Sequence, residues 1–222
     1  MFKKGIISGI PIFLGYFPIA IAFGLLSKAQ GISLVPTVLF SLLVFAGASQ
    51  FIALKLIGMG TGVLDIAIVT FLINLRHMLM SAALSAKLKE KKWIPFISFG
   101  ITDETFSIVS LEKGEITSSY LLGLESVAYT SWILGTLSGF LLGDFLPDDI
   151  KKSMGIALYA MFIAILMPEV KKSFKVLIIA GTGAVVNTII WFTKIVNPGI
   201  GIVISIIAGA FLGLVLFGDD VE

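Results

Sequence analysis

The 222-residue sequence has no cysteine, a single histidine and, against fifteen lysines, a single arginine. Without cysteine there is no thiol chemistry, disulfide or thiolate metal site, although compartment stays open. Charge is scarce: 14% of residues are charged, where soluble domains carry about 25%. The net charge of +2 comes from lysines dispersed in short loops, which excludes a nucleic-acid partner. The lone histidine has no HExxH or similar spacing around it, so no metal and no cofactor are expected. There is no GxSG serine elbow and no GxGD aspartyl pair, so an intramembrane hydrolase lacks its nucleophile. The sequence does not read as an enzyme.

What the chain does have is apolar length. Hydrophobic residues make up 57% of it, in recurring runs of about 20 residues, the length that crosses ~30 Å of hydrocarbon. The pattern predicts an all-α polytopic membrane protein, one transmembrane domain over residues 1–222. Eight segments are expected: Gly5–Ser27, Ser33–Ile57, Gly62–Ser85, Ile94–Leu111, Tyr120–Gly143, Ser153–Met167, Phe174–Phe192 and Pro198–Phe217. Met1-Phe2-Lys3-Lys4 before an apolar run resembles a signal peptide, with Ala20-Ile21-Ala22 as a cleavage site. Two prolines in that run and the polytopic remainder favour a retained segment. Pro11, Gly15 and Pro18 predict a break in the first segment. The fourth is short and carries Thr102-Asp103-Glu104-Thr105 at its centre.

Lysine placement sets the topology. The "KLKEKK" run (Lys87 to Lys92) and "KKSFK" (Lys171 to Lys175) should face the cytoplasm, and "DFLPDD" (Asp144 to Asp149) the outside. These loops agree if segment four dips in without crossing. About seven crossings remain, with a possible inverted repeat. The arrangement leaves Lys3-Lys4 outside, against the same rule.

The polar residues within the apolar runs are the candidate site. In "TFLINLRHMLMSAAL" (Thr70 to Leu84), Thr70, Asn74, His77 and Ser81 fall on one helical stripe, and Ser85 continues it. Arg76 lies nearly opposite. A guanidinium at mid-membrane costs about 2.5–3.5 kcal/mol on insertion scales and cannot shed its proton. It therefore needs acceptors: Asp103 and Glu104, then Glu125. Either Arg76 is a locked ion-pair partner, or it meets substrate, or both. His77 is a buried hydrogen-bonder or a proton carrier. Asp103 and Glu104 are adjacent and cannot both face one partner, which frees the other to load a proton.

In segment two, "FAGASQF" (Phe45 to Phe51) packs closely or unwinds; unwinding would expose backbone groups near Gly47, Ser49 and Gln50 able to hold a charged ligand group. Glu125, Tyr129, Trp132 and Thr136 form a second inward stripe, and Asn187 adds an amide. Gly135, Gly139 and Gly143, like Gly209 and Gly213, recur every four residues and read as helix-packing surfaces.

"GYFPIAIAFG" (Gly15 to Gly24), "FAGASQF", "NLRHMLMSAAL" (Asn74 to Leu84) and "TDETF" (Thr102 to Phe106) together resemble the AzlC family, in order and at similar spacing. That resemblance implies export of valine, leucine, isoleucine or methionine across a prokaryotic plasma membrane, assisted by a small AzlD-type membrane subunit. The residues themselves support a midplane site for a small zwitterion. Arg76, His77, Asp103 and Glu104 form its core; Asn74, Ser49, Gln50, Gly47, Thr102 and Pro18 line the path, with Glu125, Tyr129 and Asn187 secondary. A channel for small solutes, or a structural subunit inactive without its partner, are the alternatives.

Overall fold

The computed structural model describes every residue except 91, 113, 146, 148, 150–152, 154–155, 197 and 218–222. The described residues form ten helices, in order: α1 Phe2–Ala29, α2 Leu34–Val44, α3 Gly47–Gly58, α4 Val63–Ser85, α5 Ile94–Gly100, α6 Asp103–Leu111, α7 Ser118–Leu142, α8 Ala157–Lys172, α9 Phe174–Thr193 and α10 Pro198–Phe217. No strand forms among the described residues. Leu146 and Asp148 of the acidic loop, and much of the start of segment six, lie outside the described residues.

Among the described residues four helices are long and apolar enough to span a membrane: α1, α4, α9 and α10. A fifth span results if α5 and α6, bent by 109° at their break, count as one. About seven crossings were expected. Segment two is instead two short helices, and the glutamate, serines and threonines of α7 lower its hydropathy.

The chain divides into two compact units: Met1–Leu54 with Ile73–Ala157, and Lys55–Leu72 with Leu158–Glu222. In the second unit α9 and α10 pack through glycines. A Cβ on Gly209 would stand 3.1 Å from the Ile179 carbonyl, and one on Gly213 2.8 Å from the Ile179 side chain.

In the first unit α1 and α7 run parallel in backbone contact. Gly5 meets the Tyr120 carbonyl, Gly24 the Thr136 carbonyl and Gly139 the Ile21 carbonyl, each too closely to admit a Cβ. Large apolar side chains such as Ile7, Leu14 and Leu141 point outward, as a lipid-facing surface requires. The expected break at Pro18 does not occur: α1 is one helix of 28 residues with Pro11 and Pro18 inside it. Each proline removes a single amide bond, and the long seam with α7 keeps the helix intact. Ser131 also donates to the Phe13 carbonyl at 2.8 Å.

Both ends of this unit are tied. At one end Lys4 pairs with Glu112 at 3.0 Å, Leu88 bridges Ile116, Lys87 reaches the Ser110 carbonyl at 2.8 Å and Ser118 the Glu90 carbonyl at 2.8 Å. The α5–α6 pair therefore enters and leaves at the same end, as a re-entrant element. At the other end Lys28 pairs with Asp144. Lys4 thus shares the end of the Lys87–Lys89 loop, which corrects the expectation that Lys3-Lys4 lies opposite it. The cause is α2–α3. Ser41 meets Thr136, the Leu42 carbonyl meets Tyr129, and Gln50 is back beside Trp132, so this pair turns around inside the unit too.

Candidate functional site

The two breaks meet midway along α7. The Phe45 and Phe99 rings lie 6.0 Å apart, and both pack edge-on against Tyr129.

The α2–α3 break is made by Phe45, buried and left-handed at φ +40°. An unbroken helix would bond the Ala46 N–H to the Leu42 carbonyl. Here Ala46 N–H donates to Gln50 Oε1 at 3.2 Å, and the Leu42 carbonyl accepts from the Tyr129 hydroxyl at 2.8 Å. Gln50 also accepts from Trp132 Nε1 at 3.0 Å and donates to Ser41 Oγ at 3.2 Å. Ser49 donates to the Ala46 carbonyl at 2.9 Å and accepts from Asn74 at 3.1 Å. Trp132 covers Gly47, where a Cβ would stand 2.7 Å from its ring. Of the two sequence readings of "FAGASQF", unwinding is the one observed.

The α5–α6 break has the chemistry of a helix start. Ile101 is extended, and Thr102 caps α6 in a reciprocal capping box with Thr105. Asp103 Oδ2 lies 2.7 Å from Arg76 Nη1, with the two side chains 29% and 35% exposed. Arg76 is nine residues before the end of α4, hence about 13 Å along the helix from that end at 1.5 Å per residue. Glu104 turns the other way and hydrogen-bonds with the Tyr16 hydroxyl, which also sits 2.7 Å from Thr102 Oγ1. Each acid thus has its own partner.

Other candidates fall elsewhere. His77 is partly buried beside Arg76, with no hydrogen bond among the described residues. Glu125 is buried, and Pro18 is exposed. Asn187 is exposed, in the second unit. Among the described residues no cluster of ligands could hold a metal. Two buried polar atoms of the site lack partners, Arg76 Nε and Asn74 Oδ1. Between α4 and α5 a cavity of about 130 Å³ is lined by Ser81, Leu84, Ser85, Ile97, Ser98 and Ile101, among others. It reaches from the tied end to the second break.

The family model of the AzlC protein matches residues 11–146, which include both breaks and their partners. The chain belongs to the AzlC family. It is 36% identical over 226 residues to an uncharacterized membrane protein of Archaeoglobus fulgidus, covering 100% of this chain and 96% of the relative. It is 25% identical over 224 residues to the inner membrane protein YgaZ of Escherichia coli, covering 96% and 90%. Over 175 residues it is 24% identical to the branched-chain amino acid transport protein AzlC of Bacillus subtilis, covering 75% and 66%. No solved structure matches. With these relatives and its apolar helices, this AzlC-family chain is a multi-pass membrane protein.

Sequence reasoning missed Tyr16, Ser41 and Thr105. Tyr16 carried a signal, since its hydroxyl is the one hydrogen-bonding side chain between Ser8 and Ser27 of an apolar run. Ser41 and Thr105 had none, because a hydroxyl that serves a break looks like any other helix hydroxyl.

Proposed function

We propose that this protein exports branched-chain amino acids from the cytoplasm, driven by proton influx, as the large subunit of a pair with a small AzlD-type membrane protein. The observation that carries the reading is the meeting of two helix breaks beside an arginine–aspartate pair in the middle of an apolar bundle. Such a place offers opposite charges to a zwitterion at mid-membrane.

Asp103 and Glu104 suit the substrate ammonium, with the unpartnered Asn74 Oδ1 as a further acceptor. Arg76, whose Nε lacks a partner, suits the carboxylate. Phe45 and Phe99 give the aliphatic side chain an apolar wall, and Ser49, Gln50, Gly47 and Thr102 hold that wall in place. The serine-bearing cavity at the lysine-rich end is the cytoplasmic approach.

Valine uptake into everted vesicles tests the reading, with and without the small subunit. Saturable uptake and counterflow are expected, and a protonophore should lower accumulation at least fivefold. Flux linear in concentration without counterflow would make the protein a channel. Unchanged accumulation with the gradient collapsed would remove proton coupling.

A further inference from the structure

Glu125 is the acid that the zwitterion site leaves unused. It is 4% exposed, and among the described residues neither carboxyl oxygen has a hydrogen-bond partner. It packs against Gly100, the last residue of α5. A Cβ there would stand 2.5 Å from Oε2 and 2.6 Å from Cδ, so the slot exists because residue 100 is glycine. The backbone unwinds in the very next residues, Ile101 and Thr102, and then gives Asp103 and Glu104.

Among the described residues no neighbouring group neutralises this acid. The α5 sequence, IPFISFG, has no titratable side chain. On α6, Asp103 pairs with Arg76, Glu104 bonds Tyr16, and Glu112 just beyond pairs with Lys4. On α1, Lys4 and Tyr16 are taken as described, Lys28 pairs with Asp144, and Lys3 is exposed. On α7 itself Tyr120 bonds Glu112 and Tyr129 bonds the Leu42 carbonyl. An ionised carboxylate buried without donors costs several kcal/mol, whereas the neutral acid loses only ordinary hydrogen bonds. The closed slot and an ionised Glu125 therefore exclude each other. The arm that closes it is seven residues long, between Trp93 in the left-handed region (φ +60°) and the extended Ile101. Both ends of the arm are places where the chain is not helical.

We propose that Glu125 is the proton-binding group of the transport cycle, and that its proton latches α5 against α7 through Gly100. Loss of the proton to water frees the arm and shifts the break that holds Asp103 and Glu104. A proton taken up from water on the other side re-forms the carboxyl O–H and closes it again. This rests on the transport reading above and names the group that couples it.

The test compares two rates in proteoliposomes holding the full chain and its small subunit: valine counterflow at equal pH, and valine accumulation driven by a pH gradient. For Glu125→Gln the ratio of accumulation to counterflow is expected to fall at least tenfold. Glu125→Asp keeps the carboxyl and should restore most of that ratio. Gly100→Ala keeps Glu125 but fills the slot, so it should lower the ratio as well, and it serves where Glu125→Gln does not assemble. A wild-type ratio in Glu125→Gln or in Gly100→Ala overturns the inference alone. Absence of counterflow in the wild type overturns the transport reading, and the inference with it.

Discussion

The two breaks at the centre of the first unit are built on opposite electrical plans. The α2–α3 break is neutral and closed: Gln50, Ser41, Ser49 and Trp132 supply partners for one another and for the loosened backbone. The α5–α6 break is charged and incomplete, with Arg76 Nε and both oxygens of Glu125 left over. A fully satisfied buried network stiffens what it holds, while an unsatisfied polar group is a standing cost that a second arrangement can relieve. If the site works as proposed, the first break is its fixed wall and the second the part that moves.

The largest effect is expected at the charged break. Removing one partner of a fully buried ion pair costs about 3–5 kcal/mol. Here both side chains are about a third exposed, so about 2 kcal/mol is expected for Asp103→Asn or Arg76→Met. Each single change should also lower valine counterflow at least tenfold. The exchange Arg76→Asp with Asp103→Arg should recover most of the stability lost by either charge reversal alone, read as melting temperature in detergent. Single variants as stable as the wild type would show that this pair pins nothing, and the contrast between the breaks would go.

The charged break was the more legible of the two in the sequence. Arg76 is the only guanidinium, it sits in an apolar run, and acids in other apolar runs are few, so the sequence alone points to Asp103 and Glu104, then Glu125. The short fourth segment and the lysine pattern also predicted a re-entrant element there. The choice between the two acids was not legible, because it depends on how the Thr102 cap turns the first residues of α6. The break at Phe45 was only one of two readings, since four small residues serve tight packing equally well. Pro18 misled: a proline removes one hydrogen bond, and sequence does not display the glycine seam that holds the rest of α1. The sidedness of Lys3-Lys4 failed for a related reason, as it required knowing that segment two turns back.

At the neutral break the sharpest test is Gln50→Leu, a change of similar volume that leaves the Trp132 N–H and the Ala46 N–H without their partner and Ser41 with Thr136 alone. At about 1–3 kcal/mol per unsatisfied buried group, partly relieved by relaxation, a loss of about 1.5 kcal/mol is expected. With Trp132→Phe added, the two losses should sum to less than their separate values, because the same hydrogen bond is removed twice. The further contrast is kinetic. If this break is the fixed wall, the ratio of accumulation to counterflow stays as in the wild type, in opposition to the Glu125 variants. A changed ratio would mean that both breaks move.

The smallest effect belongs to the Lys4–Glu112 tether that holds the returning end of α6. The Lys4 ammonium hydrogen-bonds both carboxylate oxygens at 3.0 and 3.1 Å and holds the Glu112 carboxyl below its ordinary range. A carboxyl lowered on folding stabilises the fold fully above its unfolded value, roughly pH 4.3, and that share disappears as pH falls through the lower folded value. With Lys4 59% exposed, the share is a few tenths of a kcal/mol. Lys4→Met should therefore melt slightly below the wild type at pH 7, and the difference should shrink as pH falls below about 4.3. Salt separates this tether from the Arg76–Asp103 pair. At about 1 M the Debye length is ~3 Å, so the Lys4 difference should vanish while that of Asp103→Asn persists. If both vanish together, the guanidinium is as open to solvent as the tether, and the charged break is not an interior feature.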